Sequence, residues 1–433
     1  MPVDRVLLIH GYSVRALNAY AHFPALLSAQ RIPNDSILLS AFLSLDDEVT
    51  VDDLAAALED HAGQLEAAGV TIARTAVACH STGAIIARRW ILNRQAQGRP
   101  LPSHLITLAG ANHGSTLAQL GRTILAKLFF GIVDQSSVGM RVLADLDYGS
   151  PFLWRLNTEW LDAWNAGRLD AVRVFSLGGD DHSEFRDQVF WQTRENGSDS
   201  TVRVSGANLN YTRLEADPQT DPPQLRSVSM RTPAAHLVVP GYTHSGIIGA
   251  VTAPRDPPFA ALLQALAVTD DASYGAVVKD WSARTAAWTN QHADQANATI
   301  VFRLHDAAGR PIGDNLILLQ DAQGSAQRVS ASLESHQPIQ NATDPSSVSF
   351  YVNYARLMTT HPHTVHIEAR SGSSAIDYQN VDYVLGDPAL ALVRPNEVTY
   401  ADVQLVRDVE HTYSVVPYDP SRNVNATWPP LPK

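Results

Sequence analysis

The feature that most constrains this chain is a run in which a β-forming segment turns straight into a helical one. Thr75-Ala76-Val77-Ala78-Cys79 is apolar and compact; His80-Ser81-Thr82-Gly83 follows; Ala84-Ile85-Ile86-Ala87-Arg88 then reads as a helix. A strand passing through so short a turn into a helix needs small residues on either side, so that the two backbones can approach, and it lifts the residue at the tip into a cleft. Ser81 holds the tip. Gly83 supplies the small residue after it, and Cys79 stands where such turns commonly carry a first glycine.

The surrounding sequence predicts a parallel sheet covered by helices. Near-continuous apolar runs at 5–10, 36–43, 75–79, 104–110, 172–178 and 237–241 have the pattern of strands buried on both faces, and helical patterns fill the intervals. The segment 51–68 puts Leu54, Leu58 and Leu65 on one face, opens with acidic residues that suit a helix N-terminus, and is stopped by Gly69. Two stretches, 111–168 and 208–235, do not fit the alternation and read as lid-like insertions. Within the first, residues 117–133 form a strongly apolar helical pattern suited to an acyl-chain pocket.

After a further helix expected over 271–295, the pattern changes to short alternating runs separated by turn residues, at 299–305, 315–320, 347–354, 364–369, 398–406 and 412–418. The expected division is an α/β domain over 1–295, then an antiparallel β-sandwich-like domain over 296–433. Its Pro-rich tail, 423–433, is expected to be extended.

Composition narrows the function. Thirty-two Lys and Arg against 44 Asp and Glu give a formal charge of −12, which disfavours a nucleic-acid partner. The one cysteine cannot form an intrachain disulfide, and no C-x-x-C or H-E-x-x-H motif offers a metal site. The N-terminus lacks the cationic leader and apolar block of a classical signal peptide, and no stretch has the roughly 20 apolar residues of a membrane span, so membrane contact is expected to be peripheral. Neither a metal nor an organic cofactor is expected.

A nucleophilic serine needs a base, and the base needs an orienting acid. His244 follows the last strand of the α/β pattern in Gly241-Tyr242-Thr243-His244-Ser245-Gly246, where a ring can reach across the carboxyl edge of the sheet; His113 and His182 are its competitors. For the acid, Asp199 in Gly197-Ser198-Asp199 competes with Asp180 and Asp181, which end the strand at 172–178. Asp199 is preferred, because an aspartate followed within a few residues by a valine, here Val202, resembles the acid loop of bacterial lipases. His10-Gly11-Tyr12 closes the first strand, and the backbone N–H groups of Tyr12 and Thr82 are the candidate oxyanion donors. Cys79, on the strand itself, reads as a packing residue.

Taken together, Ser81 in H-S-T-G, Asp199 in G-S-D, His244 in T-H-S-G and the trailing β region resemble the bacterial cell-associated phospholipase A/lysophospholipase A family of PlaB type, within the α/β-hydrolase lipases. Cys79 stands where that family usually has threonine. The resemblance implies hydrolysis of phospholipid and lysophospholipid acyl esters, a cytoplasmic location or peripheral association with the bacterial outer membrane, and a homo-oligomer, for instance a tetramer. A triacylglycerol lipase or carboxylesterase is the alternative within the same chemistry. A non-catalytic lipid-binding or assembly scaffold is the alternative outside it.

Overall fold

The computed structural model describes residues 3–12, 20–37, 46–115, 139–183, 195–217, 224–327, 333, 338–360, 362–371, 376–384 and 393–409. The apolar segment 117–133, the candidate strand at 412–418 and the tail 423–433 lie outside the described residues.

The first strands are β1 (Arg5–Ile9), β2 (Asn34–Ile37), β3 (Thr75–His80), β4 (His104–Leu108), β5 (Arg173–Gly179), β6 (Tyr211–Asp217), β7 (Gln224–Ser229) and β8 (Ala235–Val239). Six of them form one wholly parallel sheet in the order β2-β1-β3-β4-β5-β8. The inner strands β1, β3, β4 and β5 are largely apolar on both faces because both faces are covered, whereas the edge strand β2, Asn34-Asp35-Ser36-Ile37, is mostly polar and meets the expected run 36–43 only at Ser36 and Ile37, residues 38–43 lying outside the described residues. Leu7, Ile9, Val77, Cys79 and Leu105 pack into one core, while Val6, Leu8, Ala76, Ala78 and Ile106 pack into the other.

Helices close the two layers. Val51–Ala67 begins at a capping box between Thr50 and Asp53 and buries Leu54 and Leu58. Gly83–Ala96 continues from β3 and is buried along most of its length. Pro151–Asn165, within the expected insertion 111–168, starts where the Ser150 side chain accepts the Leu153 N–H. It buries Leu153, Leu156, Trp160 and Leu161 in the same core as Gly83–Ala96. Full burial of each such side chain is worth about 1.5–3 kcal/mol, so this helix is structural. Asp271–Gln291 covers the other face, also from a capping box, and ends four residues before the sequence pattern suggests.

The later strands are β9 (Asn297–Asp306), β10 (Asn315–Asp321), β11 (Ile339–Gln340), β12 (Ser347–Asn353), β13 (Pro362–Ala369), β14 (Ile376–Tyr378), β15 (Val381–Val384), β16 (Val398–Leu405) and β17 (Arg407–Val409). A six-stranded sheet of order β11-β12-β9-β16-β6-β7 faces a three-stranded antiparallel sheet, β10-β13-β15. Ile300, Phe302 and Leu214 from the first meet Ile317, Leu319, Val365 and Ile367 from the second in a third core.

Two features of this layer were not legible in the chain. Residues 208–235 supply β6 and β7, an antiparallel pair, and β16 runs parallel to both β6 and β9. The Asp-Pro and Pro-Pro pairs fall at the end of β6 and in the connection to β7, and nothing local says that β6 pairs with residues almost 190 positions later. The second sheet is therefore mixed, with contributions from both sides of residue 296.

Candidate active site

β3 delivers Ser81 to the carboxyl edge of the parallel sheet. Ser81 takes φ 55°, a left-handed conformation that few non-glycine residues adopt. The backbone around it is pinned: its N–H donates to the Leu108 carbonyl at 3.3 Å, and its own carbonyl accepts the N–H groups of Ala84 and Ala111, each at 3.1 Å. This is the raised turn that the sequence implies.

β1 ends against it. A Cβ placed on Gly11 would lie 2.7 Å from the Ser81 Cβ and 3.3 Å from its Oγ, so only a glycine allows the two turns to touch. Tyr12 and Thr82 thus flank the serine, Tyr12 directly after Gly11 and Thr82 at the N-cap of Gly83–Ala96. The Tyr12 phenol is pushed up by burial and then by the charge of Asp47, so it stays neutral at any working pH.

The segment between β8 and the short helix Gly246–Gly249 carries His244. Its Nε2 lies 2.9 Å from Ser81 Oγ, and its Nδ1 lies 3.0 Å from Asp199 Oδ2. An ionised carboxylate only accepts, so Nδ1 holds the proton and Nε2 accepts from the Ser81 hydroxyl. The other Asp199 oxygen accepts the N–H groups of Thr201 at 3.0 Å and Val202 at 2.7 Å. Val202 thereby folds the acid loop back on its own aspartate.

His80 forms the floor beneath the base. Its Nε2 donates to the His244 carbonyl at 3.0 Å, and the two rings lie 4.8 Å apart. Burial, and then the charge His244 would carry, pushes His80 down to about 3, so it supports the base without competing for protons.

Of the competing candidates, Asp180, Asp181 and His113 have other partners, while the buried Nδ1 of His182 has none among the described residues. Asp180 accepts Gly241 N–H at 2.6 Å through one oxygen and Trp288 Nε1–H at 2.7 Å through the other, which ties the end of β5 to the turn before His244 and to Asp271–Gln291. Asp181 accepts the N–H of Ser183. His113 is buried between the Tyr400 hydroxyl and the Asn208 carbonyl. Cys79 points into the core with its Sγ 3.5 Å from the Ile106 carbonyl, and burial pushes its thiol up, out of nucleophilic range. Among the described residues no group of three or more His, Cys, Asp or Glu side chains gathers to hold a metal ion.

Several supports carry no signal in a single sequence. Arg88, completely buried behind the elbow, donates to the Asn112 carbonyl and to Asn157 Oδ1, both at 2.8 Å, and lies 4.9 Å from the Trp160 ring. Asn157 in turn meets the Tyr400 hydroxyl at 2.8 Å. Arg88 is one of three arginines in Gly83–Ala96, and nothing local marks which groups will satisfy it.

A parallel sheet with a strained serine turn after a central strand, and a histidine after the last strand in contact with both that serine and a carboxylate, defines an ester hydrolase of the α/β-hydrolase class. Within that class, the phospholipase PlaB from Legionella pneumophila is similar over 99% of this chain and 98% of its own, at 27% sequence identity and a TM-score of 0.83. The structure of the same Legionella phospholipase in complex with thio-NAD is similar over 96% of this chain and 97% of its own, at 27% identity and a TM-score of 0.80. The chain thus has the fold of the α/β-hydrolases and is similar to PlaB phospholipase over nearly its whole length. No protein-family model matches it, and no curated protein matches it by sequence.

Proposed function

We propose that this protein is a phospholipase A and lysophospholipase A that works through Ser81, His244 and Asp199. The observation that carries the reading is the unbroken chain of contacts from Ser81 Oγ to His244 Nε2 at 2.9 Å and from His244 Nδ1 to Asp199 at 3.0 Å. His244 takes the Ser81 proton as the hydroxyl attacks the acyl carbonyl, and Asp199 steadies the imidazolium that forms. The N–H groups of Tyr12 and Thr82 receive the oxyanion. His244 then protonates the departing alcohol and activates the water that releases the fatty acid.

The phospholipid class is carried over from the Legionella neighbour, whose likeness spans both β and α/β regions. The family resemblance read in the sequence adds a peripheral membrane surface as the working place and a homo-oligomer as the working form of this proposal. Among the described residues no helix is long and apolar enough to cross a membrane.

Acyl release from defined phospholipid, lysophospholipid and triacylglycerol, by the wild type and by Ser81→Ala, tests the reading. The expected result is release that favours the two phospholipid classes and falls about 10⁴-fold or more in Ser81→Ala. Preference for triacylglycerol would make the protein a neutral-lipid lipase, and release that persists in Ser81→Ala would remove the serine from its role.

A further inference from the structure

The loop that carries Asp199 is held from outside the α/β region. Its two ends are closed by a bidentate pair, Arg203 Nε and Nη2 each donating to Glu195 at 2.9 Å, and by the Val204 N–H donating to the Gly197 carbonyl at 2.8 Å. The Arg203 guanidinium is completely buried, 3.9 Å from the ring of Tyr351 on β12 and 4.7 Å from that of Tyr148. Burial opposes its charge, but Glu195 more than compensates, and Arg203 stays protonated.

The C-terminal strands also grip the loop backbone. The Tyr351 hydroxyl donates to the Asn196 carbonyl at 2.5 Å and lies 3.1 Å from the Gly197 carbonyl, while Asn297 Nδ2, on β9, donates to the Asn196 carbonyl at 2.6 Å. The Ser205 hydroxyl meets that of Thr299 at 2.8 Å. Gly197, at φ 68°, has no space for a side chain: a Cβ there would lie 2.2 Å from the Gln295 carbonyl. The loop that presents the acid is thus packed onto the start of β9 and onto β12.

We infer that Tyr351 and Arg203 are positioning residues for hydrolysis, and that the C-terminal β region completes the active site by fixing the loop 195–203 so that Asp199 meets His244. The inference rests on the Ser81, His244, Asp199 reading. A carboxylate aids an imidazolium only in the right direction and at the right distance, and a loop this short keeps its aspartate in place only if its carbonyls and its one buried cation are held. The β region therefore acts on the chemical step itself, besides any part it takes in assembly or membrane contact.

The test uses the full chain and a soluble short-chain ester, p-nitrophenyl butyrate, so that lipid docking does not enter. Tyr351→Phe keeps the ring over Arg203 and removes the hydroxyl; Arg203→Lys keeps the charge and removes the fork. Both are expected to lower kcat, by about 10-fold and about 100-fold respectively, with KM within about twofold of wild type. The acidic limb of the kcat/KM profile should move to lower pH, because His244 loses part of its carboxylate partner; His80, packed against it, stays neutral across that limb. Wild-type kcat in Tyr351→Phe, or a loss matched by a lower folded fraction with an unmoved limb, would overturn the inference. Asp199→Asn, run in parallel, separates the two levels. If it is inactive while Tyr351→Phe is not, only the positioning role falls, and if it is active, the Ser81, His244, Asp199 reading falls as well.

Discussion

Asp199 holds His244 at two points: its carboxylate meets the ring Nδ1 at 3.0 Å, and its main-chain carbonyl accepts the His244 backbone N–H at 2.9 Å. The first bond orients the ring and the second fixes the segment that carries it. Since the same aspartate also accepts the N–H groups of Thr201 and Val202, acid loop and base loop form one unit.

From this follows a contrast between the two candidate acids. Asp199→Asn is expected to lower kcat about 10⁴-fold by favouring the wrong ring tautomer, with the fold intact. Asp180→Asn should leave kcat within a few-fold, yet cost about 1–3 kcal/mol of stability, because the Gly241 N–H and the Trp288 indole N–H share its carboxylate. Steady-state kinetics and urea unfolding of the two variants decide it; the opposite pattern would transfer the acid role to Asp180.

Gly11→Ala tests the contact between β1 and the elbow. The added methyl would meet the Ser81 Cβ at 2.7 Å, so either the serine or the Tyr12 turn must shift by several tenths of an ångström. We expect kcat to fall about 100-fold with little change in Tm. The rate of Ser81 labelling by a fluorophosphonate should fall in step, whereas unchanged labelling would place the Gly11 turn outside the reacting site.

Acid should destabilise the protein through buried neutral histidines. Burial pushes His80 and His236 down to about 3 and His104 to about 4, far below the value near 6.5 of an unfolded chain. Below about pH 6.5 the unfolded chain takes up protons that the folded chain refuses, so stability is full above that pH and is lost as the pH falls toward 4. Each histidine contributes up to about 1.4 kcal/mol per pH unit in that window. Urea unfolding at pH 7.5, 6 and 5 measures the slope, and His236→Asn should remove a share of it.

Cutting the chain before Ala296 should not release a working hydrolase. Val301, Val398 and Tyr400 belong to the same core as Leu7 and Trp90, and β6 pairs with β16. A 1–295 fragment would bare that apolar surface and lose the partners of the acid loop. We expect it to aggregate or to unfold without a cooperative transition by circular dichroism; a soluble fragment with full esterase activity would contradict this.

Five of the six parallel strands were readable because strands buried on both faces are written as continuous apolar runs, and the Ser81 turn because a strand entering a helix so abruptly admits only small neighbours; β2, the polar segment Asn34–Ile37, meets the expected run 36–43 only at Ser36 and Ile37. The positions of His244 after β8 and of Asp199 before Val202 were readable for the same reason: local sequence shows where an element ends. Pairings between distant segments have no such local mark. That Asp199 rather than Asp180 faces His244, that the stretch 208–235 becomes two strands of the second sheet, and that Tyr351 and Arg203 clasp the acid loop all depend on which surfaces meet after folding. The sequence by itself determined the α/β-hydrolase frame and the residue types of the site, since these follow from periodicity and turn sterics. Only the tertiary structure decided the partners, because hydrogen bonds and buried charges are satisfied in space, across separations of up to almost 300 residues.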